Sequence, residues 1–277
     1  MKISVSSYSF LKYRKATNCT YFDLCDKAKE IGFAGIEFFD LKGEDLLNTA
    51  REIRRYCEAI GLPIVAYAVP ANFMAEDIES EVQRVCALVD VCEALGSPIF
   101  RHDVCGKLPD NPPCSWEDAV TRMAPHIRRV SEYALSKGIR TCTENHGYIF
   151  QHPERMESLI RAVNFKNYGW LCDIGNFLCV DADVESAVKT AAPYTFHVHV
   201  KDFLYKKETE RPEGFFPTSG NNWLCGTVLG QGVVPVEQCI RILQNSGYNG
   251  WITLEFEGEE ECLASIETGL SVLKNYI

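Results

Sequence analysis

Apolar and polar positions alternate through Phe196-His197-Val198-His199-Val200, and the run then breaks into the charged pair Lys201-Asp202. A period of two marks a strand, with His197 and His199 on one face and Val198 and Val200 on the other. Similar apolar runs recur along the chain and predict strands over Lys2–Ser7, Gly35–Phe39, Pro63–Ala68, Pro98–His102, Ile139–Glu144, Tyr168–Asp173, Thr195–Val200 and Trp251–Phe256. Between them the apolar period lengthens toward 3.6. Helices are predicted over Tyr21–Ile31, Glu44–Ile60, Ile78–Leu95, Ser115–Lys137, Pro153–Asn164, Val184–Ala191, Pro235–Ser246 and Glu261–Ile277. Gly32, Gly61, Gly96 and Gly247 stand where a helix C-terminus favours glycine, and Ser115 with Asp118 three residues on reads as an N-terminal cap. Two stretches lack periodicity: the Pro/Asp-rich 108–114 and the long, aromatic, glycine-rich 203–232. An irregular loop of about thirty residues is uncommon in a compact domain and usually functional, so 203–232 is a candidate lid.

Eight β/α units in strict alternation, without a linker or a shift in composition across 277 residues, predict one (β/α)8 TIM barrel domain spanning 1–277. The rival is a doubly wound open sheet, which calls for a glycine-rich phosphate turn after its first strand. Ser6-Ser7-Tyr8-Ser9-Phe10 is not such a turn.

In a barrel of this kind catalytic groups sit at the C-terminal ends of strands. Glu144, Asp173, His199 and Glu255 take that place on four consecutive strands, and we expect them to meet around one metal ion. Three carboxylates and one imidazole form a hard, oxygen-rich set suited to Mn2+ or Mg2+, with Co2+ possible and Zn2+ a weaker match. Each has an alternative: Glu144 in a core salt bridge, Asp173 as a helix cap, His199 as a satisfied core histidine, and Glu257 in place of Glu255, which is chosen because Trp251, Thr253 and Glu255 share a face. His197 faces the same way one layer lower and is expected to orient a ligand. Glu37, Tyr67, Arg101 and His102 end strands two to four and are expected to contact substrate hydroxyls, Arg101 above all if the substrate carries a carboxylate or phosphate. Asn176, three residues beyond Asp173, is a further substrate contact. His146 is a candidate base or substrate contact, Lys201 a candidate oxyanion or phosphate partner unless it simply pairs with Asp202, and Trp223 a candidate stacking group in the lid.

Composition narrows the field. A net charge of −10, with no Lys/Arg block, argues against a nucleic-acid partner. No apolar run of about eighteen residues argues for a membrane span. The N-terminus enters a strand pattern at once, without the features of a signal peptide, so a cytoplasmic location is expected. Thirteen cysteines form no Cys-x-x-Cys pair, and most fall in apolar periodic segments, where they read as reduced core residues. A homo-oligomer is compatible with all of this.

Gly35-Ile36-Glu37, Glu144-Asn145-His146-Gly147, Asp173-Ile174-Gly175-Asn176-Phe177, His197-Val198-His199-Val200-Lys201-Asp202, Gly230-Gln231-Gly232 and Gly247-Tyr248-Asn249-Gly250 followed by Glu255 together resemble the xylose-isomerase-like barrel superfamily, and within it the sugar phosphate isomerase/epimerase group. The resemblance implies that Glu144, Asp173, His199 and Glu255 hold one divalent metal and that a polyhydroxylated sugar or cyclitol chelates it. Ketose 3-epimerases usually carry a glutamate, a histidine and an arginine where this chain has Phe150, Asn176 and Tyr205, so the resemblance does not extend to a ketohexose subsite. Lys201-Asp202 instead resembles inosose dehydratase-like members. The superfamily's DNA-repair endonucleases use many histidines for three zinc ions, and six histidines in an acidic chain do not fit that branch. The expected activity is a metal-dependent isomerase or epimerase that moves a proton next to a carbonyl, with Glu144 and Glu255 on opposite faces of the reacting carbon. The alternatives are a lyase on the same site, with His146 or Lys201 as acid, and a non-catalytic sugar binder.

Overall fold

The computed structural model describes residues 1–110, 113–207 and 211–277; residues 111–112 and 208–210 of the two aperiodic loops lie outside the described residues. The barrel strands are β1 (Lys2–Ser6), β2 (Ile36–Phe39), β3 (Ile64–Val69), β4 (Ile99–His102), β5 (Arg140–Glu144), β6 (Tyr168–Asp173), β7 (Thr195–Val200) and, after three further strands, β11 (Trp251–Leu254). They pair in parallel in the order β1-β2-β3-β4-β5-β6-β7-β11, and β11 closes on β1 with Lys2 opposite Trp251 and Val5 opposite Leu254. The (β/α)8 barrel expected from alternation is thus formed. The helices α2 (Tyr21–Ile31), α3 (Leu46–Ile60), α4 (Ile78–Leu95), α5 (Trp116–Ser136), α6 (Pro153–Val163), α7 (Val184–Ala191), α8 (Val236–Asn245) and α9 (Cys262–Tyr276) bury their apolar stripes against it. Ser115 caps α5 as expected, its Oγ accepting the Asp118 N–H at 3.1 Å.

Two parts of the fold differ from the expectation. A short 3-10 turn (Ser7–Phe10) and helix α1 (Leu11–Thr17) follow β1; α1 buries no residue, so its sequence has no apolar stripe to show. The second departure is in 203–232, which is not structureless. β8 (Asp202–Lys206), β9 (Phe216–Pro217) and β10 (Trp223–Thr227) form a three-stranded antiparallel sheet in the order β8-β10-β9. Strands of two to five residues, punctuated by glycine and proline, are too short to carry a readable alternation.

That sheet is fastened to the barrel. Tyr148 Oη donates to the Pro217 carbonyl at 2.8 Å, and Asp181 accepts the Gly220 N–H and the Asn222 side-chain amide, both at 2.7 Å. At its root, the buried Asp202 carboxylate accepts four backbone N–H groups: Phe203, Gly230 and Gly232 at 2.9 Å and Val234 at 3.0 Å. A Cβ on Gly232 would lie 2.1 Å from Asp202 Oδ1, so only glycine admits this approach. Asp202 therefore does not pair with Lys201; its charge is spent on the backbone.

Removing the Asp202 carboxylate leaves these N–H groups without an acceptor, two of them in buried bonds. Asp202→Ala should cost about 3 kcal/mol or more of unfolding free energy. A urea titration with an unchanged slope is the measurement, and a loss below about 1 kcal/mol would show that the loop is held by something else.

Candidate functional site

Successive inward-facing residues build the barrel interior in layers. Ile99, Cys142 and Leu171 belong to an apolar cluster toward its N-terminal end. Two residues further along each strand, the same face carries Arg101, Glu144 and Asp173. His197 and Thr253 likewise precede His199 and Glu255. The mouth is a cavity of about 380 Å³. Its polar lining includes Arg101, Asp103, Glu144, His146, Asn176, His199, Lys201, Glu255 and Glu257, with Tyr8, Phe39, Tyr148 and Phe216 among its apolar walls.

The four strand ends singled out in the sequence converge. Glu144, Asp173, His199 and Glu255 each offer a ligand atom, and these atoms lie within 4.8 Å of one another. His199 Nδ1 is 3.3 Å from Glu255 Oε1 and 3.7 Å from Glu144 Oε2. Asp173 Oδ1 accepts the N–H groups of Gly175 (2.8 Å) and Asn176 (3.0 Å), which leaves Oδ2 for the centre of the cluster. His199 Nδ1 and Asp173 Oδ2 are buried without an aligned hydrogen bond among the described residues. Buried polar atoms are normally satisfied, and two such atoms aimed at one point among further carboxylates suit a cation. The donor set fits a divalent metal.

Beneath His199 sits Glu37, fully buried rather than facing substrate. Its Oε2 accepts from His199 Nε2 at 2.9 Å and lies 3.2 Å from His197 Nε2, which is also 2.7 Å from Thr253 Oγ1. These three residues are close enough to form a second ligand group. His199 Nε2 is aligned on that oxygen and His197 Nε2 on Thr253 Oγ1, so the group is closed by its own hydrogen bonds. With its proton on Nε2, His199 presents a lone pair on Nδ1 to the quartet, the usual arrangement behind a ligating imidazole. Despite burial, which works the other way, His199 and His197 hold the Glu37 carboxyl down at about 2, and Glu37 with Glu255 raises His199 well above its ordinary value.

Two cations balance the carboxylates. Arg101 Nη2 bridges Glu144 Oε2 (2.8 Å) and Asp103 Oδ1 (2.7 Å), while Asn176 Nδ2 donates to Glu144 Oε1 at 2.8 Å. Lys201 Nζ lies 2.9 Å from Asp173 Oδ2, 2.8 Å from Glu255 Oε2 and 2.8 Å from Glu257 Oε1. Burial opposes these charges, yet Lys201 and His199 hold Glu255 well below the usual carboxylate range. For Asp173 burial wins, and its pKa is pushed up to about 7 against the pull of Lys201. At the cavity wall His146 Nδ1 donates to Asp103 Oδ1 at 3.1 Å, a bond that raises the imidazole pKa.

Of the remaining expected contacts, Arg101, His146, Asn176 and Lys201 reach the cavity, whereas Glu37, Tyr67, His102 and Trp223 are not among its lining residues. Tyr67 and His102 are fully buried, the latter stacked on Tyr168 and with Nδ1 turned to the Asp103 carbonyl. Both stand on the outward-facing parity of their strands, which a strand-end rule alone does not reveal. Asp103 and Glu257 were missed. Each lies just past the end of a strand, Asp103 after His102 and Glu257 three residues after Leu254, where alternation no longer predicts direction. For Glu257 the spacing from Glu255 was a signal, read there as a choice between the two rather than as a pair.

The sequence matches the xylose isomerase-like TIM barrel family over residues 25–276, and the chain belongs to that family. Among characterised relatives it is similar to an inosose dehydratase of Bacillus anthracis, 22% identical over 258 residues that cover 88% of this chain and 86% of the relative. Among solved structures it is similar to the IolI protein with a bound zinc atom (16% identity, TM-score 0.78, covering 100% and 99% of the two chains). It is also similar to the D-psicose 3-epimerase of Clostridium cellulolyticum H10 (14% identity, TM-score 0.75, 100% and 99%). Among the described residues no helix is long and apolar enough to cross a membrane.

Because Asp173 and His199 must each give up a proton to act as ligands, and both are raised in the folded protein, metal affinity should fall as pH drops. Calorimetric Mn2+ titrations at about pH 6 and pH 8 test this: weaker binding and proton release are expected at the lower pH. Glu144→Gln and Asp173→Asn should each weaken binding by a factor of ten or more, and unchanged affinity in both would remove them from the ligand set.

Proposed function

We propose that the chain is a divalent-metal-dependent carbon–oxygen lyase that removes water from a keto-cyclitol or keto-sugar. Glu144, Asp173, His199 and Glu255 would hold the metal, with Mn2+ the best match to three carboxylates and one imidazole and Mg2+, Co2+ or Zn2+ as substitutes. When bound, the metal supplies Lewis-acid polarisation of the substrate carbonyl and its neighbouring oxygen.

The observation that carries this reading is the His146–Asp103 pair on the cavity wall. Glu144 has both oxygens committed, to Arg101 and Asn176, and Glu255 Oε2 lies against the Lys201 ammonium. His146 has Nδ1–H on Asp103, so its neutral form carries the lone pair on Nε2. Asp103 stabilises the imidazolium that forms once Nε2 takes the proton from the carbon next to the carbonyl. The same Nε2–H then delivers that proton to the β-hydroxyl as the carbon–oxygen bond breaks, releasing water and leaving a carbon–carbon double bond beside the carbonyl. One histidine therefore serves as base and acid, a requirement of elimination on one face of the ring. Arg101 and Lys201 keep the anionic surroundings from repelling the charge that builds on the substrate oxygen. The likeness to inosose dehydratases points the same way.

A second reading, isomerisation or epimerisation, is favoured by the disposition of Glu144 and Glu255, which flank His199 Nδ1 at 3.7 and 3.3 Å. It needs each glutamate to shed a partner and work on one face of the reacting carbon. Position 150 is a fully buried phenylalanine and Tyr205 does not line the cavity, which weighs against a ketohexose as the substrate of such a reaction.

Incubation of the Mn2+ protein with inososes and keto sugars in D2O separates the two. Elimination yields an ultraviolet-absorbing enone, whereas epimerisation yields a deuterated isomer and no enone. His146→Gln should lower kcat by roughly 10²–10⁴-fold with metal still bound. Because Asp103 raises the His146 pKa and the neutral imidazole is the active base, kcat/KM should fall as pH drops through a limb above the ordinary histidine value. Asp103→Asn should move that limb to lower pH; a limb that stays in place in this variant contradicts the assignment.

A further inference from the structure

We propose that Glu257 is a positioning residue: through a hydrogen bond it fixes where the Lys201 ammonium sits beside the metal-binding carboxylates, and so sets how tightly they take a divalent cation. The inference rests on the reading of Glu144, Asp173, His199 and Glu255 as ligands of one ion.

Lys201 Nζ makes its aligned hydrogen bond to Glu257 Oε1, at 2.8 Å. Its approaches to Asp173 Oδ2 (2.9 Å) and Glu255 Oε2 (2.8 Å) are charge contacts with two of the four ligand residues. The ammonium and a divalent ion thus draw on the same two carboxylates, and like charges held so close in a buried cleft repel strongly. Glu257 itself is outside the quartet and its side chain is 27% exposed, so its influence on the ion passes chiefly through the ammonium it holds.

The path of Lys201 is built rather than incidental. A Cβ on Gly175 would stand 2.5 Å from Lys201 Cγ and 3.2 Å from Phe203 Cε2, so the lysine stem runs through a slot that the missing side chain leaves open. The Glu257 backbone is seated in a similar way, since a Cβ on Gly226 of β10 would lie 2.6 Å from the Glu257 carbonyl oxygen. Stem and anchor are both fixed by packing, and the ammonium is held between Glu257 at 2.8 Å and the ligand carboxylates of Asp173 and Glu255 at 2.9 and 2.8 Å. Without Glu257 to share it, the whole of that charge falls on the two ligands.

Mn2+ titration calorimetry on the full chain at one pH tests this with four proteins. Lys201→Met should bind Mn2+ at least about tenfold more tightly than wild type, because the competing charge is gone. Glu257→Gln should bind it several-fold more weakly. The double variant should match Lys201→Met, since Glu257 has nothing left to position. Thermal melts report folding; if Lys201→Met fails to fold, Glu257→Gln alone decides, with Lys201→Arg, which keeps the charge, expected to stay near wild type. Unchanged or tighter binding in Glu257→Gln overturns the proposal, as does a Glu257→Gln effect of full size in the Lys201→Met background. Absence of Mn2+ binding by wild type, or binding indifferent to Asp173→Asn, would instead overturn the ligand assignment on which it stands.

Discussion

The structure depends on a balance of charge in a place where water cannot supply it. Glu37, Glu144, Asp173 and Glu255 are between 0 and 8% exposed, and Arg101 and Lys201 are 3% exposed. An isolated charge at that depth is prohibitively costly, whereas a closed network of short ion pairs is tolerable. Arg101 serves Glu144 and Asp103, Lys201 serves Asp173, Glu255 and Glu257, and the two histidines serve Glu37. The carboxylates outnumber the resident cations, which leaves a surplus of negative charge at the centre of the quartet.

The barrel makes that arrangement affordable by segregation. Apolar side chains close the bore below, Ser4, Thr253 and His197 with the Glu37 carboxylate fill the middle, and the remaining charges gather at the mouth. The sheet of β8 to β10 then finishes the wall on one side. Its ties to Tyr148 and Asp181 make it a fixed part of the rim, so the cavity has its shape before any ligand arrives.

The barrel was legible in the sequence because its strands and helices are long enough to repeat. Strand boundaries such as Tyr168–Asp173 and Thr195–Val200, and helices such as Ile78–Leu95, fall where the periodicity puts them. The quartet was legible because four polar residues interrupt apolar strands at equivalent places, and a barrel brings equivalent places together. What periodicity could not supply was direction and partner. His102 ends its strand as Glu144 does, and Tyr67 stands near the end of its own, yet both face away, and Glu37 faces inward but one layer below the cavity. The pairing of Lys201 with Asp173 rather than its neighbour Asp202 is also a matter of three-dimensional proximity: Asp202 is consumed by the backbone N–H of Phe203 and by three more from a loop 28 to 32 residues on. Helix α1 and the small sheet were unreadable for a simpler reason, having little buried surface or little length with which to express a pattern.

The carboxylate lodged beneath His199 has a consequence for the reactivity of the whole centre. By pulling on the Nε2 proton, Glu37 pushes electron density across the ring to Nδ1 and gives that imidazole some of the character of an anion. Were the proposed ion bound there, a richer donor would grip it harder but also quench part of its electrophilicity, so retention and polarising power would be traded against each other at a single side chain. A chemist seeking to sharpen or blunt this centre would therefore look below the ring, at an atom no substrate can touch.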